Sequence, residues 1–251
     1  MSEANLALAI DGKIGESVVM GELSGKWALV TGASRGVGCQ VALGLARKGC
    51  NLLVHARQLD HLGGLLGALR EAGVAAEGVA AELSQALEVD ALLARVHDRV
   101  GTPDIVYNNA AIMTPWRAPH QTPLDDYRLS FEVNVIAPVR ICDRLLPAMG
   151  ERGSGKIVNV TSGIEHIREL LPYSLSKAAL DRYVRDVSPS LQGSGVVLSL
   201  LDPGWLRTDL GGDQAPNAVE SVLPGALVPA LLPDDAQSGL LYCAQDYRTA
   251  E

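Results

Sequence analysis

The chain has 251 residues, a formal net charge of −8 and a pI near 5.1. Its length fits one α/β domain with a single core, and its acidic balance argues against nucleic acid or an anionic membrane as a partner. The four cysteines lack metal-ligand spacing, and no run approaches the ~18 apolar residues of a membrane span. We therefore expect no metal, no nucleic acid and no membrane, and the cytoplasm as compartment.

Short β-rich runs alternate with helical stretches from Trp27 onward, which predicts a single doubly wound parallel sheet of Rossmann-like type with helices on both faces. The predicted strands cover residues 27–31, 51–55, 75–80, 104–108, 155–161, 196–201 and 239–243. The predicted helices lie near 37–48, 58–72, 85–99, 123–149, 172–192 and 217–228. Residues 21–251 are expected to form this domain. Residues 1–20 are expected to be an arm: a disordered tail, a strap across the surface, or the product of an upstream start.

The first predicted strand leads directly into a glycine-rich turn and then into an Ala/Leu-rich helix. The turn reads Thr31-Gly-Ala-Ser-Arg-Gly-Val-Gly38. Gly32 permits the tight turn, Gly36 lets a pyrophosphate approach N–H groups at the helix start, and Gly38 lets the helix pack close on the strand. The alternative is a tight turn without a ligand. The strand before it and the helix after it favour a dinucleotide site.

Tyr173 carries a phenol and Lys177 an ammonium. Their spacing of four residues places the two groups on one face of a helix. A free tyrosine has a pKa of about 10, and a neighbouring cation lowers it. We interpret the pair as a proton-transfer device. The alternative is a helix that carries an incidental aromatic residue.

The glycine turn precedes the Tyr173 and Lys177 pair, and the chain also contains Asn108-Asn-Ala110, Asn134, Ser162 and Pro203-Gly204. With these residues in this order, the chain resembles the short-chain dehydrogenase/reductase family over roughly residues 24–210. The resemblance implies four catalytic residues, Asn134, Ser162, Tyr173 and Lys177. In similar enzymes Ser162 would bond the substrate carbonyl oxygen and Tyr173 would give it a proton. Lys177 would bind the nicotinamide ribose and lower the pKa of the tyrosine.

Asn134 lies in the middle of the predicted helix 123–149, where asparagine has poor propensity. Pro138 lacks an N–H and so leaves the carbonyl of Asn134 without its helical partner. The resemblance gives that carbonyl a role in holding a water that leads to Lys177. A simple kink with a buried amide is the alternative.

The choice of cofactor depends on the end of the second strand, where an acidic residue would hold a ribose 2′-OH. Ala56 stands there, Arg57 follows, and the glycine turn contributes Arg35. Two arginines without a carboxylate predict NADPH; the alternative is that both are solvated surface charges. Glu82 stands where the family usually has aspartate, and Ala111 where it usually has glycine. The resemblance implies the further cofactor contacts Gly32, Ser34, Gly36, Val37, Gly38, Glu82, Asn109, Ala110, Tyr173, Lys177, Pro203, Gly204 and Thr208.

The resemblance implies a function of NADPH-dependent reduction of a small or medium ketone, as in the C-factor-like carbonyl reductase branch. The alternatives are an NADP-dependent alcohol dehydrogenase that works in the oxidative direction and a nucleotide-binding sensor without turnover. Relatives form dimers through the helices that correspond to 123–149 and 172–192 here, and pair these into tetramers. A homodimer or homotetramer is therefore expected.

Overall fold

Seven parallel strands form one sheet in the computed structural model, which describes residues 23–248. Their order is β3-β2-β1-β4-β5-β6-β7. The order reverses between β1 and β4, which makes this the switch point where ligands bind in doubly wound folds. The predicted fold class is confirmed. The strands are β1 (Trp27–Val30), β2 (Asn51–Ala56), β3 (Ala76–Ala80), β4 (Ile105–Asn108), β5 (Gly155–Val160), β6 (Val196–Asp202) and β7 (Leu241–Cys243).

The sheet is covered on both faces, as its continuous apolar strands require. In β1, Ala28 and Val30 belong to one buried cluster and Leu29 to the other. The first cluster includes side chains of α1 and α2, and the second includes side chains of α3, α5 and α6. The helices are α1 (Gly36–Arg47), α2 (Gly63–Glu71), α3 (Ala86–Val100), α4 (Leu124–Phe131), α5 (Ala137–Arg152) and α6 (Leu171–Val187).

The long helix predicted over residues 123–149 is interrupted at the expected place. α4 continues into α5 through a π-helical turn, Glu132–Ile136, which contains Asn134. Pro138 cannot donate to the carbonyl four residues earlier, so the ordinary α-helical ladder cannot close there. The break in the ladder at Asn134 agrees with the effect expected of Pro138, although the π-helical form of the turn was not predicted.

The helix predicted over residues 217–228 is wrong. Two 3₁₀ turns occupy this region, Val219–Val222 and Gly225–Ala230. Between them Leu223 is extended, with φ −95° and ψ 147°. The residue before a proline avoids the helical region, and Pro224 imposes this restriction on Leu223.

The predicted arm, residues 1–20, lies outside the described residues, so the domain boundary at residue 21 stays a prediction. In the part of the chain that the structure covers, no helix is long and apolar enough to cross a bilayer.

Candidate active site

A cleft of about 770 Å³ opens at the carboxyl ends of the strands on both sides of the switch point. The glycine turn and the end of β2 line one part of it, and Tyr173 and Lys177 line another. The two motifs that the sequence separates by more than 130 residues therefore share one cavity. Further predicted contacts that line the cleft are Ser34, Val37, Glu82, Asn109, Ala110, Pro203 and Thr208.

The glycine turn has no room for side chains at two of its glycines. A Cβ atom added at Gly38 would lie 2.5 Å from the carbonyl oxygen of Gly32. One added at Gly32, whose φ is +62°, would lie 2.7 Å from Cα of Ala110. Among the described residues, no side chain caps the first turn of α1 and no acidic residue lies in it. The free N–H groups of that turn fit a pyrophosphate.

Residues that follow β4 hold this turn from one side. The hydroxyl oxygen of Thr31 accepts from the backbone N–H groups of Asn109 and Ala110, at 3.0 and 3.1 Å. The side-chain amide of Asn109 donates to the carbonyl oxygens of Thr31 and Gly32, at 2.9 and 3.1 Å. Asn109 therefore supports the turn directly.

Both predicted arginines line the cleft near the end of β2. Arg57 is exposed, whereas Nη1 of Arg35 lies 3.0 Å from a carboxylate oxygen of Asp209. Both partners in that ion pair are about 70% exposed, so the pair is worth only about 0–1 kcal/mol. Arg35 can therefore exchange Asp209 for another anion at little cost. Glu82 accepts from the backbone N–H and hydroxyl of Ser84, both at 3.0 Å.

The structure brings the predicted catalytic residues Ser162, Tyr173 and Lys177 together. Tyr173 and Lys177 are 6% and 3% exposed and line the cleft, whereas Ser162 is half-buried, is not part of the cleft lining and acts on the phenol of Tyr173 by lowering its pKa. The hydroxyl oxygen of Ser162 also accepts from the N–H of Ile164 at 3.3 Å. Nζ of Lys177 donates to the carbonyl oxygen of Val160 at 2.7 Å and lies 5.8 Å from the centroid of the Tyr173 ring.

That Lys177 lowers the pKa of Tyr173 stays a prediction; in the structure, burial acts on both groups. Burial raises the pKa of Tyr173 to about 12; the hydrogen bond from Ser162 lowers it and the charge of Asp202 raises it. Burial also lowers the pKa of Lys177 to about 8. Both shifts have the same cause, since burial disfavours the charged form of each group.

Asn134 is fully buried, and its side chain joins a loop to α6. Its Oδ1 accepts from the N–H of Ile112 at 2.9 Å, and its Nδ2 donates to the carbonyl of Ile112 at 2.9 Å and to the hydroxyl of Ser176 at 3.0 Å. Ser176 precedes Lys177. Asn134 thus fixes the loop after β4 against the helix that carries the predicted catalytic lysine, and the water role of its carbonyl stays a prediction.

The residues that follow β6 lie opposite the glycine turn. A Cβ atom added at Gly36 would lie 3.6 Å from Cγ2 of Thr208. Gly204 has φ +81°, and a Cβ atom there would lie 2.7 Å from Cγ of Gln245, so the chain requires glycine. Nε2 of Gln245 donates to the carbonyl of Pro203 at 2.8 Å.

Asp202 is a site residue that the sequence reasoning missed. One carboxylate oxygen accepts from the N–H of Gly163 at 3.0 Å and the other from the N–H of Gly204 at 2.9 Å. This carboxylate joins the loop that follows Ser162 to the Pro203–Gly204 turn. The sequence feature that could have identified Asp202 is a charged residue at the end of an otherwise apolar strand. In residues 23–248, no cluster of three or more His, Cys, Asp or Glu side chains could hold a metal.

A doubly wound sheet whose cleft is lined by a dinucleotide turn and a buried Tyr–Lys pair, with a serine beside the phenol, defines a nucleotide-dependent oxidoreductase. The family model described as short chain dehydrogenase matches residues 26–218, and the chain belongs to this family, which uses NAD(P) cofactors. The predicted family membership is confirmed.

Individual relatives agree with this membership. The chain is 33% identical over 189 residues to the ketoacyl reductase HetN of Nostoc sp., a match that covers 74% of this chain and 66% of that protein. A short-chain type dehydrogenase/reductase from Mycobacterium marinum superposes with a TM-score of 0.81 at 25% identity, over 92% of this chain and 98% of that one. The angucycline C-6 ketoreductase LanV with bound NADP superposes with a TM-score of 0.76 at 28% identity, over 89% and 95% of the two chains.

Proposed function

We propose that this protein reduces a ketone on a small or medium-sized organic molecule to an alcohol, with NADPH as the reductant. The observation that carries the proposal is the buried pair of Tyr173 and Lys177, which lines the same cleft as the uncapped glycine turn and has Ser162 beside the phenol. Ketoreductases among the relatives support it. The reductive direction needs a proton donor at the carbonyl oxygen, and the phenol of Tyr173 is the donor that we propose.

The cleft fits a dinucleotide along its length. The N–H groups at the start of α1 would hold the pyrophosphate, and Lys177 and Thr208 would hold the nicotinamide half. When bound, the nicotinamide supplies hydride to the carbonyl carbon. Ser162 would hydrogen-bond the substrate oxygen and Tyr173 would donate its proton to the same oxygen. Asn134 would hold α6, the helix that carries Lys177, in place.

Turnover of a ketone panel with NADPH tests the proposal. Tyr173→Phe removes one hydroxyl and should lower kcat by at least about 10²-fold, the usual loss when a general acid is removed. NADPH affinity should be nearly unchanged, because the phenol acts on the substrate oxygen. The matched control is Tyr247→Phe, which alters a tyrosine outside the cleft. Near-wild-type turnover by Tyr173→Phe would remove the mechanism.

The preference for NADPH is carried by Arg35 and Arg57 at a strand end that lacks a carboxylate, with Ala56 in its place. One charge-assisted hydrogen bond is worth about 1.5–3 kcal/mol, so wild-type enzyme should favour NADPH over NADH by at least about tenfold in kcat/KM. Arg57→Asp should reverse that order, and the surface variant Arg95→Asp should not. Equal use of both dinucleotides by wild type would show that the arginines only face solvent.

We propose a homodimer built through the helices predicted over 123–149 and 172–192, which correspond to α4 with α5 and to α6. Ile136 in the π-helical turn and Leu175 on α6 are large apolar side chains that are each about 45% exposed. Their burial in a second copy would remove apolar surface from water. Light scattering should give the mass of two or four chains, and a monomer mass would refute this interface.

The proposed compartment is the cytoplasm. All four cysteines lie within residues 23–248 and are free thiols. Free thiols are typical of a reducing compartment. Cell fractionation tests this, and recovery of the protein outside the cytoplasm would contradict it.

A further inference from the structure

His55 is a buried histidine beside the cofactor cleft to which the proposed function gives no role. It lies near the carboxyl end of β2, is 2% exposed and contributes to the cleft lining. Its neighbours in the strand are apolar, from Leu52 to Val54 and at Ala56. A buried imidazole requires hydrogen-bond partners, and both ring nitrogens have one.

The two partners fix which nitrogen carries the proton. Nε2 lies 3.0 Å from the carbonyl oxygen of Ala81, which can only accept, so Nε2 is the donor. Nδ1 is then the acceptor for the backbone N–H of Gly32, at 3.2 Å. The ring therefore bridges the glycine turn after β1 and the end of β3.

The backbone of His55 strengthens this link. Its carbonyl oxygen accepts from the N–H of Ala33 at 2.8 Å. Two consecutive amides of the glycine turn, those of Gly32 and Ala33, are thus bonded to one residue of β2. Asn109 holds the carbonyl of Gly32 from the other side. The position of Gly32, which tolerates no Cβ atom, is set by a clamp between His55 and Asn109.

We propose that His55 is a positioning residue for the cofactor: its Nδ1 holds the amide of Gly32 and so sets the turn that receives the dinucleotide. This inference rests on the proposed function, because it takes the turn to bind NADPH. The role requires a neutral ring, since a protonated Nδ1 would face the N–H of Gly32 with a second donor. Burial lowers the pKa of His55, while its bond to Ala81 and the nearby charge of Glu82 act in the opposite direction.

Two conservative variants separate the two ring nitrogens. Nδ1 is two bonds from Cβ, as is Oδ1 of asparagine, whereas Nε2 is three bonds away, as is the amide nitrogen of glutamine. His55→Asn therefore keeps an acceptor for Gly32 and loses the bond to Ala81. His55→Gln keeps a donor for Ala81 and loses the acceptor for Gly32.

The measurements are the Kd for NADPH by fluorescence titration, kcat at saturating NADPH and the thermal midpoint without cofactor. His55→Gln should weaken NADPH binding about tenfold, which corresponds to about 1.4 kcal/mol or one hydrogen bond, with kcat unchanged. His55→Asn should stay within about threefold of wild type. The exposed His97→Gln is the control and should change nothing. Equal weakening in Asn and Gln, in parallel with the thermal midpoint, would overturn the proposal, as would a wild-type Kd in His55→Gln.

A second measurement does not depend on the cofactor. Hydrogen exchange of the peptide that covers residues 31–38 should be faster in cofactor-free His55→Gln than in His55→Asn or wild type. Exchange that is the same in all three would overturn the clamp. A wild-type protein that binds neither NADPH nor NADH would instead refute the proposed function, and the exchange comparison would still decide whether His55 holds the turn.

Discussion

Gly38→Ala tests whether α1 packs on the glycine turn as closely as the structure has it. The new methyl carbon would lie 2.4 Å from Nδ2 of Asn109 and 2.5 Å from the carbonyl oxygen of Gly32. Both distances are too short for any carbon contact. The second involves backbone, so rotation of a side chain cannot relieve it. Either α1 must move away from β1 or the turn must shift.

The expected loss of stability is worked from three effects. Overpacking costs about 1–3 kcal/mol. Displacement of the Asn109 amide loses its bonds to Thr31 and Gly32, each worth about 1 kcal/mol. Alanine gains about 1 kcal/mol of helix propensity over glycine. The net loss is about 3 kcal/mol, or about 6–12 °C in the thermal midpoint of a chain this long.

Urea unfolding and NADPH titration are the assays. The control is Gly67→Ala in α2, where an added Cβ atom meets nothing within 4 Å. That variant should gain up to about 1 kcal/mol from helix propensity alone and bind NADPH normally. Should Gly38→Ala match wild type in both the free energy of unfolding and the Kd, the close approach of α1 to the turn would be refuted.

Two other predictions concern the catalytic end of the cleft. Protonated Lys177 should be required for reduction, so kcat/KM should be full below pH 8 and fall as pH rises through about 8. This decline should be missing in Lys177→Arg. A flat wild-type profile from about pH 6 to 10 would contradict the requirement for protonated Lys177. Asp202→Asn keeps one of the two acceptors for the N–H groups of Gly163 and Gly204, which should loosen the loops beside Tyr173, so kcat should fall about tenfold while Asp213→Asn, an exposed control, stays at the wild-type level. An unchanged kcat in Asp202→Asn would refute a role for this link in catalysis.

The features that could be predicted from the sequence are those that depend on residues close together in the chain. The glycine turn needs only the conformational freedom of three nearby glycines, and the π-helical turn follows from one proline four residues after Asn134. Both could be derived from the chain without knowledge of the fold. The helix predicted over 217–228 was wrong because Pro224 disfavours a helical conformation at Leu223, which is extended in the structure.

His55 and Asp202 could not be assigned their partners in this way. The Gly32–His55 bond spans 23 residues and the Gly163–Asp202 bond spans 39. Each joins segments that meet only because their strands are neighbours in the sheet or end at the same edge of it. A histidine in an apolar strand indicates that a partner exists. Only the order of the strands indicates which one.

The raised pKa of Tyr173 bears on what its neighbours must do in catalysis. Burial raises that pKa to about 12, so the phenol carries its proton at pH 7 and is a weaker acid than a free tyrosine. A general acid works best when its pKa lies near the operating pH. Transfer of the proton to a substrate oxygen therefore needs neighbours that lower this pKa. The Ser162 hydroxyl, and the ammonium of Lys177 at 5.8 Å from the ring centroid, are the groups placed to do so.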